Sequence, residues 1–218
     1  MTRIAILLSG RHGRGSNMQA IAAACASGQI SGQVAVVIGN AADSPALARA
    51  REIGLPTQAI PYRGITSRIG EGFYSDALRL ALDNAQTDLV CLAGYMRIVP
   101  DTVVAEYPGR MMNIHAALLP AFGGQGMYGH HIHEAVLAYG AKVSGCTVHF
   151  VDEHYDTGPI ILQSAVPVEE NDTPETLAAR VLATEHETYP RAVALFAAGR
   201  LSLEGRRVRV LEVPSLLA

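Results

Sequence analysis

The chain has 218 residues, 17 basic and 20 acidic, for a formal charge of −3 at pH 7. A chain of this length can bury roughly 70% of the surface its unfolded form exposes, and so small a net charge gives no global field toward nucleic acid or an anionic membrane. All the basic residues but Lys142 are arginines, which sets aside Schiff-base chemistry and a lysine-bearing phosphate loop. Three widely spaced cysteines, Cys25, Cys91 and Cys146, two of them in apolar runs, read as small hydrophobes in a reducing compartment. The N-terminal MTRIAILLSG runs at once into RHGRGSN, with no cleavage site and no 18-residue apolar span, so it predicts a first buried strand of a soluble, cytoplasmic protein.

Short apolar runs alternate with stretches of helical period along the first half, which predicts an α/β fold: a single-domain, mostly parallel twisted sheet with helices on both faces, Rossmann-like. Strands are expected at Ile4–Leu8, Val34–Ile38, Thr57–Ile60, Leu89–Leu92 and Met111–Ile114. Helices are expected at Asn17–Ala26, Pro45–Ile53, Ile69–Asn84 and Pro100–Glu106, with Gly28 and Gly54 as stops after the first two. After Pro120 the glycine-rich AFGGQGMYG has no period and reads as a flexible loop. A short helix His131–Ala138 leads to two strands, SGCTVHFV and IILQSAVPV, joined by the loop DEHYDTGP. A long helix Pro174–Ala198, capped by Thr173 with Pro174 at its first position, closes the domain, and RLSLEGRRVRVLEV reads as a hairpin turning at Glu204-Gly205. We expect one domain over 1–218, with an N-terminal half at 1–115 and a C-terminal half at 116–218 that carries the glycine-rich and acidic loops, the closing helix and the tail hairpin.

Two constellations carry chemistry. The first strand ends in Ser9-Gly10 and passes through RHGRGSN into a helix, at the carboxyl edge where parallel sheets bind ligands. Glycines let backbone N–H groups approach an anion, and the helix adds the positive end of its dipole. Gly15, Ser16 and Asn17 are the expected phosphate contacts, although the same residues would also serve as a plain helix cap. The acid about 20 residues on that a dinucleotide site needs is missing. In the second constellation, strand alternation puts Asn113 and His115 of RMMNIHAALLP on one side, and Asp156 of YDTGP lies in a loop that can close over the same edge. A carboxylate beside an imidazole is expected to raise its pKa and fix its orientation. An amide, an imidazole and a carboxylate suit acyl transfer. No serine or cysteine adjoins His115, so the attack is expected to come from the substrate.

LLSG, GSNMQAI, CLAGYMRIV, RMMNIHAALLPAF and GCTVHFVDEHYDTGPIILQ together resemble the phosphoribosylglycinamide formyltransferase family along nearly the whole chain. NIH followed by LLP resembles several folate-dependent formyltransferases, whereas the glycine-serine-asparagine loop looks like the ribonucleotide-phosphate site of this family. The resemblance implies formyl transfer from 10-formyltetrahydrofolate as cosubstrate to the amine of glycinamide ribonucleotide, with small-molecule partners only and a monomer or homodimer. It makes Asn113, His115 and Asp156 catalytic. It gives Gly15, Ser16, Asn17 and Glu185 to the acceptor, Glu185 on the ribose hydroxyls. It gives Met96, Arg97, Ile98, Val99 and Asn113 to the folate, largely through backbone groups.

The chain departs from the family pattern at three places. The phosphate loop has three extra residues, which offers Arg11 or Arg14 as a candidate charge contact; GGQGMYG is longer than the short form; and Glu71 stands where many members carry a basic residue. His130, His131 and His133 crowd one stretch, but no cysteine adjoins them, Glu134 is the nearest acid, and the chemistry needs no metal. We expect none. His149 reads as a buried, hydrogen-bonded residue near the site. The rival readings are transfer to another amine, as in relatives that usually bring an extra domain, which is not expected here, hydrolysis of formyl-folate, and a non-catalytic folate-binding protein.

Overall fold

The computed structural model describes residues 1–10 and 14–212; within them, side chains 64 and 67–69 are left aside. The main sheet has seven strands: β1 (Thr2–Leu8), β2 (Gly32–Gly39), β3 (Thr57–Ala59), β4 (Leu89–Leu92), β5 (Met111–His115), β6 (Val143–Phe150) and β7 (Ile160–Pro167). Their order is β3-β2-β1-β4-β5-β6-β7. The first five are parallel, and β6 and β7 join antiparallel. The fold is therefore the single-domain α/β architecture expected. The chain leaves β1 toward β2 on one side and returns to β4 on the other, which makes the β1/β4 boundary a topological switch point, where ligands of open α/β sheets bind. Ser9 N–H donates to Gly94 O across that boundary at 3.1 Å.

Side-chain alternation sorts the core onto the two faces. Ile4, Ile6 and Leu8 of β1 and Met112 of β5 pack with helix α1 (Ser16–Ala26) and with Tyr189, Ala192 and Val193 of helix α7 (Pro174–Ala197). Ala5, Leu7 and Met111 face the other way, against Tyr74, Leu78 and Leu82. Tyr189 is fully buried, and its hydroxyl lies 3.1 Å from Leu92 O and 3.0 Å from Met112 O, so one donor serves the two central strands beneath the site. A third cluster, with Ile132, Val136, Cys146 and Val181, lies between α6 (His130–Tyr139) and α7.

Several boundaries differ from the sequence expectation. The span expected as Ile69–Asn84 belongs to two helices, α3 (Tyr62–Ile69) and α4 (Glu71–Asn84), parted by Gly70. Its φ of 93° lies in the left-handed half of conformational space, which interrupts a right-handed helix and which glycine tolerates best. The rest of the connecting helices are α2 (Pro45–Glu52) and α5 (Asp101–Val104), shorter than the expected Pro100–Glu106. The tail hairpin forms from β8 (Leu201–Glu204) and β9 (Arg207–Val210), with Gly205 and Arg206 as its turn, one residue later than expected. Gly28 and Gly54 do follow α1 and α2. Thr173 caps α7 reciprocally with Thr176.

Candidate active site

A cavity of about 710 Å³ opens at the carboxyl edge of β1, β4 and β5, within the range of small-molecule sites. Asn17, Met96, Arg97, Ile98, Val99, Asn113, His115, Asp156 and Glu185 all line it. Of the expected site residues only Gly15 and Ser16 stand back, where α1 begins. Among the described residues no side chain caps that helix. Arg14 is exposed, and Arg11 lies outside the described residues.

Asn113 and His115 share the side of β5 opposite Met112 and Ile114, which pack on the α1 and α7 face. Asp156 reaches them from the β6–β7 loop in a left-handed conformation, φ 55°. Its Oδ1 is 3.5 Å from Asn113 Nδ2 and 3.7 Å from His149 Nε2; its Oδ2 is 3.5 Å from His115 Nδ1 and accepts from Gly124 N–H at 2.9 Å. Burial alone would lift the Asp156 carboxyl. The neighbouring imidazoles of His149 and His115 and the Gly124 N–H outweigh it, and hold the group below its ordinary value. Asp156 is accordingly a carboxylate at neutral pH.

His149 is buried, as expected, and its partners fix its tautomer. Nδ1–H donates to Phe150 O at 2.7 Å, which leaves Nε2 to accept from the Asn113 amide at 3.2 Å. His115 is oriented by Nε2–H donating to Phe122 O at 2.8 Å. Burial nevertheless pulls His115 below its ordinary value: Asp156 does act to raise it, as expected, but with the Phe122 carbonyl offsets only part of the burial effect. A buried imidazolium loses hydration that one carboxylate at 3.5 Å does not replace. The glycine-rich loop thus supplies two backbone groups to the centre, Phe122 O and Gly124 N–H, which the sequence, without any period there, did not single out.

On the other face, Asn17 Nδ2 donates to Glu185 Oε2 at 2.6 Å. Burial pushes the Glu185 carboxyl up to about 7, against the lowering effect of that hydrogen bond. Asn17 Oδ1 is buried without a partner among the described residues, an acceptor left over for a ligand. Asn40, also not foreseen, accepts from Gly10 N–H at 3.0 Å and donates to Ser9 Oγ at 2.7 Å, bracing the end of β1.

The third wall is the segment after β4. Met96 and Ile98 expose apolar side chains at the rim, and Val99 is buried beneath them. The Arg97 guanidinium stacks 3.7 Å from the centre of the Tyr62 ring, a cation–π contact. Glu71 accepts from the Tyr62 hydroxyl at 2.7 Å, which steadies the ring under Arg97.

The cysteines are ill suited to nucleophilic work. Burial pushes Cys91 up to about 12 and Cys146 up to about 11, and raises Cys25. Among the described residues no group of three or more His, Cys, Asp or Glu could hold a metal ion. His130 lies near Glu134 and Glu175, His131 pairs with Glu134, and His133 is buried beneath them. No described helix is long and apolar enough to cross a membrane.

The fold and site can be set beside known proteins. The family described as formyl transferase matches residues 2–193. The crystal structure of glycinamide ribonucleotide transformylase 1 from Symbiobacterium toebii superposes with a TM-score of 0.88 at 48% identity, over 97% of this chain and 95% of that one. The chloroplastic phosphoribosylglycinamide formyltransferase of Arabidopsis thaliana is 42% identical over 91% of this chain, which spans 66% of that protein's length. The human trifunctional purine biosynthetic protein adenosine-3 is 41% identical over 92% of this chain, which spans 19% of it. By the extent of the match and by these relatives, the chain belongs to the formyl transferase family.

Proposed function

We propose that the protein transfers the formyl group of 10-formyltetrahydrofolate to the amine of N1-(5-phosphoribosyl)glycinamide, a step of purine synthesis. The observation that carries this is the convergence of Asn113, His115 and Asp156 in a cavity that also contains the Asn17–Glu185 pair. The names of the relatives, glycinamide ribonucleotide transformylase and phosphoribosylglycinamide formyltransferase, support the choice of acceptor. In this reading it is a cytoplasmic single-domain enzyme, monomer or homodimer, acting on small molecules without nucleic acid, membrane or metal.

The first turn of α1 at Gly15, Ser16 and Asn17 takes the phosphate, through free N–H groups and the helix dipole. Glu185 takes the ribose hydroxyls, as a carboxylate accepting from both. Met96, Arg97, Ile98 and Val99 take the folate: backbone groups read the pterin edge, and the exposed Met96 and Ile98 cover its apolar surface. The acceptor amine then attacks the formyl carbon, and negative charge grows on the formyl oxygen. Asn113 and His115 meet that charge, which favours the transition state over the bound substrates. The growing charge also works against the burial that holds His115 neutral, so formyl addition and protonation of the imidazole favour each other. Asp156 keeps the imidazole aimed, and directly or through water helps the amine proton reach the departing folate nitrogen.

The deciding experiment is a donor-dependent formylation assay with purified protein, comparing N1-(5-phosphoribosyl)glycinamide with methionyl-tRNA, an amino sugar and water as acceptors. The phosphoribosyl amine should be the acceptor used, with no added ATP, nicotinamide or metal and no loss in a chelator. Preference for another acceptor, or turnover abolished by chelation and restored by zinc, would overturn the reading.

A further inference from the structure

The matched family region ends at 193, yet the hairpin beyond it reaches the loop that carries Asp156. Arg206, in the turn between β8 and β9, donates from Nη2 to Thr157 O at 2.6 Å. The same threonine is held at its side chain, where Oγ1 donates to Asp152 Oδ1 at 2.7 Å, and Asp152 Oδ1 also accepts from His154 N–H at 3.1 Å. On its other side Gly158 lies flat against β6: a Cβ there would stand 1.7 Å from Phe150 O. The residue next to Asp156 is thus fixed at its hydroxyl, its carbonyl and its following peptide.

That fixing matters because Asp156 occupies the left-handed region, φ 55°. A residue with a Cβ is disfavoured there by about 1 kcal/mol or more and persists only where its surroundings hold it. Relaxation would swing the carboxylate away from Asn113, His115 and Gly124 N–H, which it meets at 2.9 to 3.5 Å. A cation–carbonyl hydrogen bond is stronger than a neutral one, and its donor here belongs to a separate two-stranded sheet. We propose that Arg206 is a positioning residue for formyl transfer, clamping the peptide beside Asp156 from the C-terminal hairpin. The inference rests on the catalytic reading of Asp156.

The test compares Arg206→Ala, Arg206→Lys, Arg209→Ala and Asp156→Asn in the full chain by steady-state formylation and thermal unfolding. Arg209 pairs with Glu204 inside the same hairpin at 2.8 Å, so its loss weakens the hairpin without touching Thr157. Arg206→Ala should lower kcat by between about threefold and tenfold, the scale of a slightly misplaced group, with both KM values within about twofold. Lysine, which can still donate to the carbonyl, should restore most of the rate, and Arg209→Ala should keep it. A normal kcat in Arg206→Ala beside a crippled Asp156→Asn enzyme overturns this inference alone. So does Arg209→Ala matching the Arg206→Ala loss, which would mean that hairpin stability alone was being read. A normal rate in Asp156→Asn overturns the catalytic reading of that residue, and this inference with it.

Discussion

Asn17 and Glu185 lie 168 positions apart in sequence, yet their side chains meet at 2.6 Å where α1 and α7 converge on the cavity. The pair joins the expected phosphate cradle to the expected ribose acceptor, and burial leaves its carboxyl with a pKa of about 7.

A carboxyl raised in this way makes acceptor binding pH-dependent. Diol hydroxyls donate to the ionised form, so acceptor KM should rise as pH falls below 7 while donor KM stays flat. In Glu185→Gln the acceptor KM should be high at every pH and lose that slope. Stability runs the other way. With a folded value of about 7 against an ordinary 4.5, the group's contribution is complete below pH 4.5 and is lost as pH rises through 7. Thermal unfolding of the free protein should show that decline, and Glu185→Gln should show less of it. An acceptor KM that is flat from pH 6 to 8 in the wild type would remove Glu185 from the acceptor site.

At the transfer centre, Asp156→Asn or His115→Ala should each lower kcat by about 10² or more, with KM values changed by about tenfold at most. The double variant should be little worse than the worse single one, because groups acting as a unit are not additive. Asp156 opposes the burial that depresses His115. Its replacement by Asn should therefore shift the limb of kcat/KM that falls with rising pH to lower pH. Losses that multiply fully in the double variant would show two independent groups.

Among the described residues no side chain caps the start of α1, which leaves its first N–H groups to a ligand. Ser16→Leu should raise acceptor KM far more than donor KM, since the bulk lies over the cradle. Equal effects on both substrates would take the loop out of acceptor binding.

Tyr189 gives a prediction about stability. Tyr189→Phe keeps the ring but leaves two buried carbonyls, Leu92 O and Met112 O, without their hydroxyl donor. A loss of about 1 to 3 kcal/mol is expected, measured by denaturant unfolding. A smaller change would show that the strands satisfy those carbonyls unaided.

The parallel strands were legible because β1 and β4 are short, almost wholly buried apolar runs, and the alternation through Met111–His115 foretold that Asn113 and His115 would share a side. Contacts made by backbone groups were not legible. Phe122 O and Gly124 N–H lie in a loop without period, and nothing in their side chains marks them as partners of His115 and Asp156. Helix ends were misplaced where a local signal beat the pattern, as Gly70 did between α3 and α4. The direction of the His115 shift needed burial, which two neighbours in a motif do not reveal.

The cavity bends around the edge of the sheet, with Glu185 on the α7 side and Asn113 and His115 pointing to the other. In the proposed reading one substrate sits on each side, and the formyl group passes directly between them. With no thiol ready to hold the formyl group in between, both must be present at once. Initial-rate plots at several fixed donor concentrations should therefore give lines that intersect, the pattern of a ternary complex, where parallel lines would mean a formylated enzyme.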